Sequence, residues 1–411
     1  MTLTLEEMQR RDAADPFAAL RDAFDLPPGE TYLDGNSLGA LPHATAARLA
    51  ATVREEWGKG LIRSWNKADW IGAPARLGGK IARIIGAAPH EVLVADSTSV
   101  NLYKLLVAAV QAQSGRRVIL SEPGNFPTDL YVAQGVAATL PDCELRTVPR
   151  DRIIDAIDES VAVVMLTHVH YQSGARFDMD TVTRAAQAKG ALILWDLSHS
   201  AGAVPVDLNA ANADLAVGCG YKYLNGGPGA PAFLFVAERH QAVLRSPLSG
   251  WMGHAAPFEF SDEYAPGDGI RRFLCGTPPI LGIAALEEGI DLFLSVDRPA
   301  LFAKGQALCS AFIDLVEDRC AGLGLGLLTT RDAAVRGSHV SLRHANAWPV
   351  MQALIARGVI GDFRAPDALR FGFTPLYTSY CDVWHAVDML HDILASGSWD
   401  QPDFHVRAAV T

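Results

Sequence analysis

The sequence predicts an α/β fold in which a large domain built on a mainly parallel sheet is followed by a smaller α+β C-terminal domain. Three observations carry this. From about residue 90, short and continuously apolar runs alternate with amphipathic stretches, the pattern of parallel strands covered by helices on both faces. After about residue 280 the texture changes to long helical stretches with few strands. The chain has 411 residues, more than one simple core accommodates. The expected division is an N-terminal segment, 1–55, packing with the small domain, then a large domain, 56–280, and a small domain, 281–411.

In chain order, 31–33 is a short strand and 44–57 an amphipathic helix. Apolar runs at 91–95, 117–120, 161–167, 191–195, 215–218 and 232–236 read as strands of the large sheet,. Between them, 98–113 is a helix with Leu102, Leu105, Leu106 and Ala109 on one face, and 179–189 is another,. In the C-terminal part, 281–294 and 298–320 read as helices, 338–343 and 369–373 as strands, and 382–394 as a closing helix. Ligands of such sheets sit beyond the carboxyl ends of the strands.

Composition narrows the partners. A formal net charge of −11 argues against nucleic acid or an anionic membrane,. No run approaches the roughly 18 uncharged apolar residues that span a bilayer, and the first 25 residues lack the apolar core of a signal peptide. A cytoplasmic protein is expected. The six cysteines, Cys143, Cys219, Cys275, Cys309, Cys320 and Cys381, form no C-x-x-C pair and read as reduced thiols. His168 and His170 alternate on one strand but lack a third ligand at suitable spacing, so no metal is expected. His254 follows a tight glycine turn and reads as structural.

The strongest chemical signal joins two places. The run Ile193-Leu194-Trp195-Asp196-Leu197-Ser198-His199 delivers an acid at the end of an apolar strand. Just after the next strand comes Gly220-Tyr221-Lys222-Tyr223-Leu224-Asn225. Pyridoxal phosphate needs this order: a lysine to condense with its aldehyde, and a carboxylate to keep its pyridine nitrogen protonated, so that the ring accepts electrons from Cα. Asp96-Ser97-Thr98-Ser99-Val100-Asn101, between a strand and a helix, offers hydroxyls and backbone N–H groups to a phosphate, or is a plain helix cap. Phe126, after the following strand, could stack on the pyridine ring.

These segments, and others in the same order, resemble the kynureninase family. They are Tyr32-Leu33-Asp34-Gly35-Asn36-Ser37-Leu38-Gly39, Phe126-Pro127-Thr128-Asp129, His168-Val169-His170-Tyr171-Gln172-Ser173-Gly174, Trp195-Asp196-Leu197-Ser198-His199, Tyr221-Lys222-Tyr223-Leu224-Asn225, Gly250-Trp251-Met252-Gly253-His254, Gly276-Thr277-Pro278-Pro279-Ile280 and Arg370-Phe371-Gly372-Phe373-Thr374-Pro375. The resemblance implies the aminotransferase-like fold of pyridoxal-phosphate enzymes (fold type I), pyridoxal 5'-phosphate as cofactor, and hydrolysis of L-kynurenine to anthranilate and L-alanine in tryptophan catabolism. It also implies a homodimer with active sites at the interface.

Residue by residue, the resemblance makes Lys222 the attachment point, with Tyr221 and Asp196 as its catalytic companions and His199 beside the cofactor. Phe126 stacks on the ring, and Thr98, Ser99 and Asp129 contact the cofactor. Tyr221 binds its phosphate, which Trp251 and Thr277 reach from a second subunit. Arg370, Trp65 and Asn36 meet the substrate. Two alternatives stand beside this. One is a cysteine desulfurase or aminotransferase of the same fold, with Cys275 or Cys381 as the desulfurase thiol. The other is a pyridoxal-phosphate-binding regulator without turnover.

Overall fold

The computed structural model describes residues 3–407. The chain divides into two compact units. Of the described residues, the smaller unit takes those within Met1–Ala44, Val169–Arg176 and Leu292–Thr411, and the larger those within Thr45–His168 and Phe177–Asp291. The sequence reading instead set its divisions after residues 55 and 280. The short excursion 169–176 could not be seen in a hydrophobic pattern, because it is a loop that joins the smaller unit through backbone pairing, as in Arg176 N–H to Val335 O at 2.9 Å.

The larger unit holds a seven-stranded sheet. Its strands are β1 (Val92–Val94), β2 (Val118–Ser121), β3 (Glu144–Thr147), β4 (Val161–Thr167), β5 (Leu192–Asp196), β6 (Leu215–Gly218) and β7 (Phe233–Val236). They lie in the order β1-β7-β6-β5-β4-β2-β3. β7 is antiparallel to both neighbours, and the other pairings are parallel. The six strands expected from sequence are present to within two residues at each end. β3 was missed because it is an edge strand whose Glu144, Leu145, Arg146 and Thr147 are exposed or half-buried, which leaves no apolar run to read.

Helices cover this sheet: α1 (Ala73–Ile85), α2 (Thr98–Ala112), α3 (Pro127–Thr139) and α4 (Met179–Ala188); α5 (Ile280–Leu294) pairs with α1 through Lys80 and Glu287 at 2.9 Å. α1 was masked in the sequence by two glycines. Gly78 is needed there, since a β-carbon would overlap the carbonyl of Val92 in β1,. The helix expected at 44–57 is an α-helix only over His43–Ala51 and continues as a π-helix, Thr52–Gly60, a distortion frequent near functional sites. Leu102, Leu105, Leu106 and Ala109 all enter the core beneath β1, β4 and β5.

The smaller unit has a four-stranded antiparallel sheet, β8 (Gly326–Leu327), β9 (His339–Arg343), β10 (Asp362–Arg364) and β11 (Ala368–Gly372), in the order β8-β9-β11-β10. It packs with α6 (Arg298–Arg319), α7 (Ala347–Ala356) and α8 (Tyr380–Ser396) around a core that includes Leu308, Phe312, Phe371, Phe373 and Leu390. Thr31–Tyr32 pairs in parallel with Val359–Ile360, which ties the N-terminal segment into this unit. By length and composition α6 could cross a membrane, closer to a span than the sequence reading allowed. However, 56% of its apolar window is buried inside the protein, as befits a core helix.

Candidate active site

β4 and β5 end in register on Thr167 and Asp196. Apolar residues drive both strands into the core, so the polar residue that ends each one is delivered, buried, at the carboxyl edge of the sheet,. One Asp196 oxygen accepts the Ser198 amide at 2.7 Å. That turn carries His199, whose Nε2 lies 2.9 Å from Lys222 Nζ. Lys222 comes from the loop after β6 and is only 8% exposed. Two backbone bonds fix its loop: Asn225 N–H to Lys222 O and Gly226 N–H to Gly220 O, both 2.9 Å. Asn225 takes a left-handed backbone (φ 53°) to close it.

Phe126 is the residue before α3, and its ring centre is 5.7 Å from Lys222 Nζ. Asn125 shapes that corner. Its buried side chain accepts the Phe126 amide at 2.7 Å and the Thr167 hydroxyl at 2.5 Å. Thr167 also reaches Asp129 at 3.2 Å. Burial, and then the neighbouring charge of Asp196, push the Asp129 carboxyl well above the usual carboxylate range,. Asp129 thus favours its neutral, proton-donating form. Burial likewise raises the Tyr221 hydroxyl, with Cys219 and Asp196 adding to the effect, so Tyr221 keeps its proton. Its ring lies 5.8 Å from Lys222 Nζ.

Thr98 and Ser99 are the first two residues of α2, capped by Ser97, whose hydroxyl accepts the Val100 amide at 3.3 Å. The cap reading of this motif is thus observed, and the first turn that Ser97 caps carries the hydroxyls of Thr98 and Ser99 at a helix start, a setting that suits an anion,. Trp251 and Thr277 are exposed, on segments that meet through Met252 N–H to Cys275 O at 3.3 Å. Trp65 is half-buried and stands edge-to-face with Trp70 at 5.9 Å. With Thr277, Trp57 and Pro278 these two line an apolar cavity of about 450 Å³. Trp57 and Trp70 are not among the site residues expected from the sequence.

In the smaller unit Arg370 is 1% exposed. Its guanidinium forks onto Asp362, through Nε at 2.8 Å and through Nη2, and also donates to Tyr171 O at 2.6 Å and Ser37 Oγ at 2.9 Å. Arg364 also pairs with Asp362, at 2.6 Å. Neither Asp362 nor Arg364 stands out in the sequence, because β10 is too short to show a period. Asn36 is fully buried, and neither its amide oxygen nor its nitrogen has a hydrogen-bond partner among the described residues. A β-carbon at Gly372 would overlap it, so this glycine makes its room. Asp34, beside it, is pushed up to about 8 by burial and then by Asp362.

The remaining candidates have structural partners. His168 Nδ1 meets Ser200 Oγ at 2.9 Å, while His170 Nδ1 accepts the Gln172 and Ser173 amides at 3.3 and 3.2 Å. His254 fastens its own turn by accepting the Ala256 amide at 2.9 Å. Cys275 lies 3.6 Å from Asp96 Oδ1. Burial, and then Asp12, push the Cys381 thiol up to about 12, a poor setting for a nucleophile.

Comparison with known proteins agrees with this geometry. The family model for aminotransferase class-V matches residues 71–342, and that for the kynureninase C-terminal domain matches 301–390. A kynureninase of Burkholderia mallei (strain SAVP1) is 55% identical over 99% of this chain and 100% of its own length. That of Pseudomonas fluorescens is 52% identical over 97% of this chain and 98% of its own. The chain belongs to the kynureninase family. Among solved structures, a cysteine desulfurase of Thermococcus onnurineus NA1 shares the fold with a TM-score of 0.78 at 18% identity, covering 92% of this chain and 98% of that one. A C-DES mutant with glycine covalently linked to its PLP cofactor has a TM-score of 0.76 at 16% identity, covering 90% and 99%. Like the rest of the kynureninase family, this chain is a pyridoxal-phosphate enzyme, and its residues fit that group. A buried amine, a buried carboxylate, an aromatic face and a hydroxyl-bearing helix start converge at one edge of the sheet, as the cofactor's aldehyde, pyridine nitrogen, ring and phosphate require.

Proposed function

We propose that this enzyme hydrolyses the Cβ–Cγ bond of L-kynurenine, releasing anthranilate and L-alanine. The observation that carries the proposal is the full-length match to kynureninases, joined to the Asp196, His199 and Lys222 constellation. Bound pyridoxal phosphate supplies an electron sink for carbanions at Cα and then Cβ. Lys222 is its attachment point. Its Nζ would also be the group placed to carry the substrate Cα proton. Asp196 would hold the proton on the pyridine nitrogen, Phe126 would support the ring, and Thr98, Ser99 and Tyr221 would hold the phosphate. Tyr221, which burial keeps in its protonated form, would be the hydroxyl placed to supply a proton to Cβ,. Arg370, kept in one orientation by Asp362, reads the substrate carboxylate, with Asn36 beside it. The alternative of a desulfurase is not favoured: the full-length relatives are kynureninases, and burial raises the Cys381 thiol.

The reading includes a homodimer in which Trp251 and Thr277 reach the partner's cofactor phosphate. It also includes a cytoplasmic location, supported by six cysteines that are all free thiols,. The aromatic ring of the substrate is assigned to the tryptophan-lined cavity. The cavity is mainly apolar, so an added ring hydroxyl would give up more hydrogen bonding to water than the Thr52 and Thr277 hydroxyls return, costing about 1–3 kcal/mol,. L-kynurenine should therefore be preferred over 3-hydroxykynurenine by about tenfold in kcat/KM. Competing the two in one assay, with both aromatic products quantified, tests the activity and the preference together. Equal efficiencies would remove Trp65 and Thr277 as the determinants, and absence of either aromatic product would remove the activity.

A further inference from the structure

We propose that Lys104 is the positioning residue of the phosphate-binding corner, an inference that rests on the pyridoxal-phosphate reading above. Lys104 lies two turns into α2 and is 0% exposed. An ammonium so placed persists only when it is paired. It donates to Asp96 Oδ2 at 2.7 Å and to the carbonyl of Phe273 at 2.8 Å. Asp96 immediately precedes the Ser97 cap and holds a left-handed backbone (φ 51°), a strained state for a residue with a side chain. Phe273 leads into the segment that bears Thr277, and Cys275 of that segment also meets Asp96, at 3.6 Å. One buried ammonium therefore ties the strand-to-helix corner carrying Thr98 and Ser99 to the segment carrying Thr277.

The charge balance has a direct consequence. Asp96 puts a carboxylate next to the helix start assigned to the phosphate. Left alone, that carboxylate would repel a dianion. Lys104 neutralises it from within the core, so the positive end of α2 acts on the phosphate unopposed. Lys104 touches neither cofactor nor substrate in this account. It acts through Asp96, and its removal should be felt chiefly by the phosphate.

The test compares pyridoxal phosphate with pyridoxal, which lacks only the phosphate, by titrating the cofactor-free protein and following its absorbance. Lys104→Met is expected to weaken pyridoxal phosphate by about tenfold or more, while pyridoxal changes by less than about threefold. Adding Asp96→Asn to Lys104→Met removes both charges together and should restore most of the discrimination between the two ligands. If the single variant does not fold, the double variant decides: retained discrimination supports the role, and lost discrimination overturns it. Equal weakening of both ligands, or no change in either, would also overturn it. A parent protein that bound no pyridoxal phosphate would sink the cofactor reading and this proposal with it.

Discussion

Asp196→Asn is expected to lower kcat/KM for L-kynurenine by at least about a hundredfold, the scale of losing one preorganised electrostatic contact. The substitution keeps the shape of the site. The asparagine carbonyl can still accept the Ser198 amide that Asp196 holds at 2.7 Å, and β5 still pairs with β4 and β6. Only the charge that keeps the pyridine nitrogen protonated is lost, so the electron sink weakens. The variant should remain folded with cofactor bound, as judged by circular dichroism and absorbance, while anthranilate production collapses. A cofactor-loaded variant with near-normal turnover would refute the role.

Lys222→Ala should cost more, about ten-thousandfold or beyond, because it removes both the covalent anchor and the base at Cα. Lys222 Nζ is the described amine that faces both the Phe126 and Tyr221 rings, at 5.7 and 5.8 Å, and no other described lysine is placed to take over. Lys104, the other buried lysine of the larger unit, is committed to Asp96 and Phe273. Borohydride reduction of the parent enzyme followed by peptide mapping should place the pyridoxyl group on Lys222. A label on Lys104, or an active Lys222→Ala enzyme, would overturn the assignment.

What could be read from sequence divides along a physical line. Asp196 and Lys222 are legible because each follows a continuous apolar strand, and a polar residue at such an end stands out. Thr167 carries the same signal at the end of β4 and could have been found by it. The Arg370–Asp362 pair is legible only after the strand register is known. The antiparallel pairing of β10 with β11 sets the two residues opposite each other, yet β10 has three residues and no period. Lys104 was unreadable for a different reason. A single lysine among Leu102, Tyr103, Leu105 and Leu106 looks like the solvent face of an amphipathic helix. Its burial depends on Phe273, 169 positions away, and local periodicity carries no information about such a partner. The tryptophan cavity likewise joins a π-helical segment to 277–282, a meeting that neither stretch announces alone.

The most direct measurement of the central claim is product analysis of the purified, cofactor-loaded enzyme supplied with L-kynurenine alone and, separately, with L-cysteine. L-kynurenine should give anthranilate and alanine in equal amounts, and L-cysteine should give no sulfide. Alanine and sulfur release from cysteine, with no anthranilate from kynurenine, would contradict it.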